Sequence, residues 1–184
     1  MNQIKVFSYN AAELKIVWED TSKSQLQAIW LRDHCQMPAS RNPDNGQRLL
    51  NITDIPEDIA IEKVSLEDRR LLVQFAPDGH HSEFDLDWLY DNCYNLNRSI
   101  DTLTLPPEIM RQFYAAYRHY AEILERKKQQ IVFDLQPGEL ILFDSTRILH
   151  AHKTYSAGGT RHLQGAYSDL DGLYSSLRKL EANS

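Results

Sequence analysis

Several features that would place this chain in a specialised class are scarce or missing. Its two cysteines, Cys35 and Cys93, are too few for a disulfide framework, and no apolar run approaches the ~18 residues that span a bilayer. Residues 1–10 show no basic stretch followed by an apolar one, so no signal peptide is expected. A net charge of −6 argues against binding to nucleic acid or to an anionic membrane. We therefore expect a cytoplasmic protein in a reducing compartment.

The composition is typical of a globular chain. Apolar residues make up 42% and charged residues 25% of the 184 positions, which is close to the average of folded domains. This length is enough for one domain or two small ones with a buried core.

The first half of the chain predicts a small, mainly β structure. Apolar and polar residues alternate from Leu14 to Trp18 and again from Leu71 to Phe75, which indicates strands with one buried face. A Pro-Asp-Gly turn at 77–79 would return the chain as the partner strand of a hairpin. Asp85 or Asp87 can then cap a short helix.

The second half predicts helices and further strands, after a loop-like boundary at 95–105. Pro106-Pro107 begins a helix whose apolar stripe is expected in the core: Met110, Phe113, Tyr114, Tyr117, Ala121 and Leu124. Apolar residues return to a period of two at Ile131, Phe133 and Leu135, and strands are predicted at 131–135, 139–143, 147–155 and 161–167. A last helix after Asp169 is expected to turn three leucines inward: Leu173, Leu177 and Leu180.

A histidine and an arginine on the two late strands are the first candidates for chemistry. In an antiparallel pair, His150 and Arg161 can point into the same cavity. Neutral imidazole is a good Fe(II) ligand, and guanidinium binds a carboxylate as a bidentate fork. The pair therefore suggests a metal-bound organic acid. Judged on spacing alone, a strand histidine and a surface arginine are the favoured explanation.

The wider sequence resembles a known enzyme family. Residues 30–35 (Trp-Leu-Arg-Asp-His-Cys), 78–84 (Asp-Gly-His-His-Ser-Glu-Phe) and 87–89 (Asp-Trp-Leu) resemble the N-terminal domain of the gamma-butyrobetaine and trimethyllysine dioxygenases. Residues 137–144 (Pro-Gly-Glu-Leu-Ile-Leu-Phe-Asp) and 161–167 (Arg-His-Leu-Gln-Gly-Ala-Tyr) resemble the C-terminal end of the same enzymes. Such enzymes are Fe(II)/2-oxoglutarate oxygenases of carnitine biosynthesis.

This resemblance implies a cofactor set and roles for four residues. The family holds Fe(II) on two histidines and a carboxylate in a jelly-roll-like barrel, and it uses 2-oxoglutarate and oxygen to hydroxylate its substrate. By resemblance, His150 is an iron ligand and Arg161 binds the far carboxylate of 2-oxoglutarate. Tyr167 matches an aromatic position beside the trimethylammonium group, where a cation over a ring is favourable. Asn97 matches a polar position near the substrate.

The chain departs from the family at the iron site. The other two iron ligands of the family come from a His-x-Asp motif, and the 184 residues contain none. His81-Ser-Glu83 fits a looser pattern, but it lies in the predicted hairpin and is interpreted as structural. By this comparison, the chain lacks the central region of the family. The early and late blocks of similarity meet near residues 93–97. One histidine cannot hold iron in a useful geometry.

The chain also departs from the family at a zinc site. The N-terminal domain of the family binds zinc through three cysteines and a histidine, and these positions read Cys35, Met37, Ser40 and His80 here. Structural zinc normally needs four ligands, so we expect no zinc and a buried Cys35.

The sequence therefore predicts an α+β chain in two parts. Residues 1–93 form the mainly β domain, and residues 97–184 form part of a double-stranded β-helix with a packing helix. We expect a relative of the oxygenases that hydroxylate a small trimethylammonium substrate. We also expect this chain to be inactive on its own. One alternative is a non-catalytic binding or dimerisation module, for which a homodimer is the expected partner state. The other is a damaged gene product that folds only in part.

Overall fold

The structure is a computed structural model that describes residues 2–93, 107–151 and 162–182. These residues belong to two compact units, Met1–Phe133 and Asp134–Ser184. No helix in the described ranges is both long enough and apolar enough to cross a bilayer.

The first unit begins with an antiparallel sheet of three strands. Strands β1 (Ile4–Tyr9), β2 (Glu13–Trp18) and β3 (Lys23–Gln27) lie in that order. Leu14, Ile16 and Trp18 of β2 are fully buried, so the alternation in the sequence correctly predicted this strand. The chain then enters helix α1 (Ala28–Asp33), which buries Trp30 and Leu31 in the same core.

A second antiparallel sheet contains the predicted hairpin. Strands β4 (Ala60–Glu67), β5 (Arg70–Ala76) and β6 (His81–Asp85) lie in that order. The turn between β5 and β6 needs Gly79, whose φ of 66° lies in the left-handed region. Pairing of Leu71 with Phe84 places two buried side chains opposite each other.

Helix α2 (Leu86–Asn92) follows β6 directly, as predicted. The Asp85 carboxylate accepts hydrogen bonds from the backbone N–H groups of Asp87 (2.9 Å) and Trp88 (3.1 Å). Asp85 is therefore the N-cap residue that stops the strand and starts the helix.

Helix α3 (Pro107–Glu125) confirms the predicted helix, but only part of its apolar stripe is buried. Met110 and Tyr114 belong to the core of the first unit, and Tyr117 and Ala121 pack against it. Phe113 and Leu124 are exposed, because the helix contacts the core along one narrow line. The helix lies close to β3 and to a 3-10 turn at Ile52–Asp54, so it belongs to the first unit rather than to a C-terminal sheet.

The predicted late strands are not formed in the described parts of the chain. Where the structure describes residues 131–135, 139–143, 147–155 and 161–167, none is a strand, and the partial β-helix is therefore absent from these residues. The period of two at Ile131, Phe133 and Leu135 suits a strand. A strand is stable only beside a partner strand, however, and the described residues place no partner strand beside this segment.

The last helix is present, but its environment differs from the prediction. Helix α4 spans Leu170–Ala182. Leu173, Leu177 and Leu180 are exposed, so the prediction that they point into a core is wrong. No described residue of the second unit belongs to a buried core against which this stripe could pack. The predicted boundary at 93–97 adjoins residues outside the described ranges and stays a prediction.

Candidate functional site

His150 lies on the surface of the second unit. Its ring packs against Phe143, with a centroid separation of 4.6 Å. The nearby carboxylate of Asp144 accepts from the backbone N–H (2.9 Å) and the hydroxyl (2.7 Å) of Thr146, and these bonds lower the pKa of Asp144. Among the residues that the structure describes, no three His, Cys, Asp or Glu side chains form a group suited to a metal.

The other predicted site residues do not form a described pocket with His150. Tyr167 is exposed over 92% of its surface. Arg161 and Asn97 lie outside the described residues, so their roles stay predictions.

The residues present do not fit the iron site that the resemblance implies. A non-haem Fe(II) centre needs two histidines and a carboxylate on one face. The sequence has no His-x-Asp, and His150 has only an aromatic ring as a described side-chain contact. In the looser pattern, His81 is exposed and Glu83 forms an ion pair with Arg70 at 3.0 Å, which suits a structural role on β6.

The structure brings together two of the four positions that the resemblance compares with zinc ligands. The Cys35 Sγ lies 3.2 Å from His80 Nε2, and Cys35 is fully buried as predicted. Met37 and Ser40 lie in a turn in which the Ser40 N–H donates to the Met37 carbonyl at 2.8 Å. A direct thiol–imidazole contact therefore joins the end of α1 to the β5–β6 hairpin.

Charged neighbours reinforce this contact. Arg32 Nε donates to Asp78 Oδ2 at 2.8 Å, and the His80 N–H donates to Asp78 Oδ1 at 3.0 Å. Burial by itself would raise the pKa of Asp78, but these bonds outweigh it and the pKa is lowered. Burial and the Arg32 guanidinium lower the pKa of His80.

A second polar cluster was not predicted from the sequence. Asp33, at the end of α1, forms an ion pair with Arg48 and accepts a hydrogen bond from the Tyr114 hydroxyl at 3.4 Å. Burial raises the pKa of Asp33, although Arg48 opposes this, and burial also raises that of Tyr114. Because these residues are far apart in the chain, no local pattern marks the cluster, which connects α1 to α3.

Comparison with known proteins finds related proteins for both the early and the late part of the chain. Residues 6–90 match the family described as gamma-butyrobetaine hydroxylase-like, N-terminal. The gamma-butyrobetaine dioxygenase of Homo sapiens is 30% identical over 153 residues, which are 79% of this chain and 37% of that protein. The trimethyllysine dioxygenase of Meyerozyma guilliermondii is 33% identical over 88 residues, which are 48% of this chain and 22% of that protein.

These matches show relationship over a limited length. The chain spans 37% of the human relative and a smaller share of the yeast one. Residues 60–167 match the family described as taurine catabolism dioxygenase TauD, TfdA family, and this range is more than half of the chain. The chain therefore belongs to the TauD/TfdA dioxygenase family and carries a gamma-butyrobetaine hydroxylase-like N-terminal domain.

Proposed function

We propose that this chain derives from an Fe(II)/2-oxoglutarate dioxygenase that hydroxylates gamma-butyrobetaine or a related trimethylammonium substrate, and that it does not turn over substrate alone. Its relatives, named gamma-butyrobetaine and trimethyllysine dioxygenases, support the substrate class. The proposed lack of turnover rests on one observation. The sequence contains no His-x-Asp, so His150 is the one residue that matches a family iron ligand.

Three residues retain a role toward small molecules in this proposal. Arg161 binds the far carboxylate of 2-oxoglutarate, and Tyr167 and Asn97 face the substrate. Without chelation to iron, a partly solvated guanidinium–carboxylate pair contributes roughly 1–2 kcal/mol. The affinity for 2-oxoglutarate is therefore expected to be about millimolar or weaker. The proposal includes a cytoplasmic location and no role in binding nucleic acid or membrane.

Succinate release tests the absence of turnover. The chain is incubated with Fe(II), ascorbate, 2-oxoglutarate and gamma-butyrobetaine, beside a full-length gamma-butyrobetaine dioxygenase that verifies the assay. We expect release at the level of the enzyme-free control. Release that substrate stimulates and that His150→Ala abolishes would show a complete iron site and contradict the proposal.

Ligand-observed NMR tests the role of Arg161. Saturation transfer to 2-oxoglutarate is compared between the natural chain and Arg161→Ala, with Arg126→Ala as a matched loss of a surface arginine. We expect weak transfer that only Arg161→Ala abolishes. Equal transfer in all three proteins would assign Arg161 to the surface, and micromolar binding would reveal a more complete site than one arginine.

A non-catalytic module is the second candidate, and the distribution of the core favours it. Every residue of the buried hydrophobic cluster in the described ranges lies in the first unit, between Leu14 and Tyr114, whereas His150 and Tyr167 are exposed. A module of this kind would unfold cooperatively and show no saturation transfer to 2-oxoglutarate. Arg161-dependent transfer would favour the first candidate.

A further inference from the structure

The thiol of Cys35 is a nucleophile that the proposed function does not use. Cys35 is fully buried just after α1, and its Sγ lies 3.2 Å from His80 Nε2. His80 itself is half-buried, so its imidazole reaches from the thiol to the protein surface. A thiol reacts only where a reagent can approach the sulfur. His80 therefore covers Cys35 on the side of the β5–β6 turn.

His80 belongs to a short turn that can move as one piece. Residues 77–80 connect β5 to β6, and the Phe75 N–H donates to the His80 carbonyl at 2.9 Å. Within the turn, the His80 N–H donates to the Asp78 carboxylate at 3.0 Å. Both bonds lie inside the hairpin, so they persist when the turn moves relative to α1. We call residues 77–80 the lid, because their movement away from α1 would uncover the Cys35 thiol.

An ion pair with little exposure holds the lid against α1. Arg32 Nε donates to Asp78 Oδ2 at 2.8 Å, and the two side chains expose only 9% and 18% of their surface. In the part of the chain that the structure describes, Arg32 Nη1 is buried without a hydrogen-bond partner. A buried cation is strongly unfavourable unless a carboxylate compensates its charge. The closed position of Asp78 supplies that carboxylate, and this attraction favours the closed lid.

We propose that the lid opens locally to expose Cys35 as a modification site for thiol-reactive electrophiles, and that the Arg32–Asp78 ion pair keeps it shut. Opening breaks this ion pair and the Cys35–His80 contact, but it leaves the pairing of β5 with β6 in place. Local openings of this kind cost less free energy than global unfolding and therefore occur more often. The inference is independent of the proposed function, because it involves no residue assigned to iron, 2-oxoglutarate or substrate.

Labelling of the folded full chain with N-ethylmaleimide measures the opening. The Cys35 sulfur forms a bond to one carbon of the maleimide double bond, and the thiol hydrogen ends on the other carbon, so no further reactant is needed. Mass spectrometry of peptides separates the labelling of Cys35 from that of Cys93. A chelator in the buffer keeps stray metal ions from protecting the thiol.

Removing the carboxylate of the lid should speed the labelling of Cys35. We expect Asp78→Asn to raise the rate at least about tenfold, because a charge-assisted hydrogen bond that closes the lid is lost. Asp58→Asn is the matched control, since Asp58 is an exposed carboxylate of the same unit, and its rate should stay within about twofold of the natural chain. Equal labelling of Cys35 in both variants would overturn the role of the ion pair.

Two measurements distinguish a local opening from global unfolding. Met110→Ala weakens the core, which stays packed while only the lid is open, so it should leave the labelling rate of Cys35 within about twofold. In the natural chain, urea below the unfolding transition should hardly change this rate, because a local opening exposes little surface. A rise of about tenfold or more in Met110→Ala, or a urea dependence as steep as that of unfolding, would overturn the proposal.

Two adjacent histidines test which side chain covers the thiol. His80→Ala removes the ring in contact with Cys35 and is expected to raise the labelling rate about fivefold. His81→Ala is the matched control, because His81 is exposed on β6, and it should leave the rate within about twofold. Equal rates in the two variants would show that the His80 ring does not cover Cys35 and would overturn this part of the proposal.

Discussion

Replacing Met110 by alanine should destabilise the whole first unit, although Met110 lies on a helix far along the chain from both sheets. Met110 is 2% exposed and belongs to the same core as Trp18 and Phe75. Truncating a fully buried methionine to alanine costs about 2–5 kcal/mol, from lost apolar burial and from the cavity that remains. We therefore expect the free energy of unfolding to fall by about 3 kcal/mol.

The neighbouring Ile109 provides a matched control on the same helix turn. Its side chain is 40% exposed, so Ile109→Ala should lower the free energy of unfolding by less than about 1 kcal/mol. The measurement is urea unfolding of the full chain followed by circular dichroism. With a urea slope of about 2 kcal/mol per molar, Met110→Ala should lower the midpoint by about 1.5 M and Ile109→Ala by less than about 0.5 M. Equal shifts for the two variants would refute the docking of α3 against the core.

Three further predictions concern the helix cap, the hairpin turn and the zinc positions. Asp85→Ala should lower the free energy of unfolding by about 1 kcal/mol, because two N–H groups of α2 lose their acceptor, and Asp85→Asn should retain most of it in the same urea titration. The lowered pKa of Asp78 means that its contribution is present above its unfolded pKa near 3.8 and is lost as pH falls through the folded value. Asp78→Asn should therefore flatten the loss of stability below about pH 4 in thermal melts, and an unchanged acid limb would contradict this. Elemental analysis after dialysis should find less than one zinc per chain, because Met37 and Ser40 replace thiolates; one tightly held zinc would refute it.

Local signals predicted the first unit well. The hairpin follows from alternation at Leu71 to Phe75 and from a Pro-Asp-Gly turn, and both features act within a few residues. Asp85 could be recognised as a cap because capping is a contact with the next two or three N–H groups. The sequence could not predict the contact between Asp33 and Tyr114, because it joins distant segments through burial rather than through spacing.

The second unit shows where such signals fail. Residues 139–143 (Glu-Leu-Ile-Leu-Phe) form a short apolar run that suits a strand, but such a run describes one strand and a sheet requires at least two. The leucine stripe of α4 likewise predicts an apolar face without supplying the surface that would cover it. Among the zinc positions, the family resemblance grouped Cys35 with His80, and the structure places them 3.2 Å apart. No alternation or spacing in the sequence would have indicated that contact.

The positions of the tryptophans make intrinsic fluorescence selective for one part of the molecule. All three, Trp18, Trp30 and Trp88, belong to the first unit. Trp18 is buried, donates its indole N–H to Ser24 at 2.9 Å and meets Tyr90 edge to face at 5.0 Å. Its emission should therefore be blue-shifted in the native protein and move to longer wavelength when the first core opens. Residues 134–184 contain no indole, so a tryptophan introduced there would give that half of the chain an optical signal of its own.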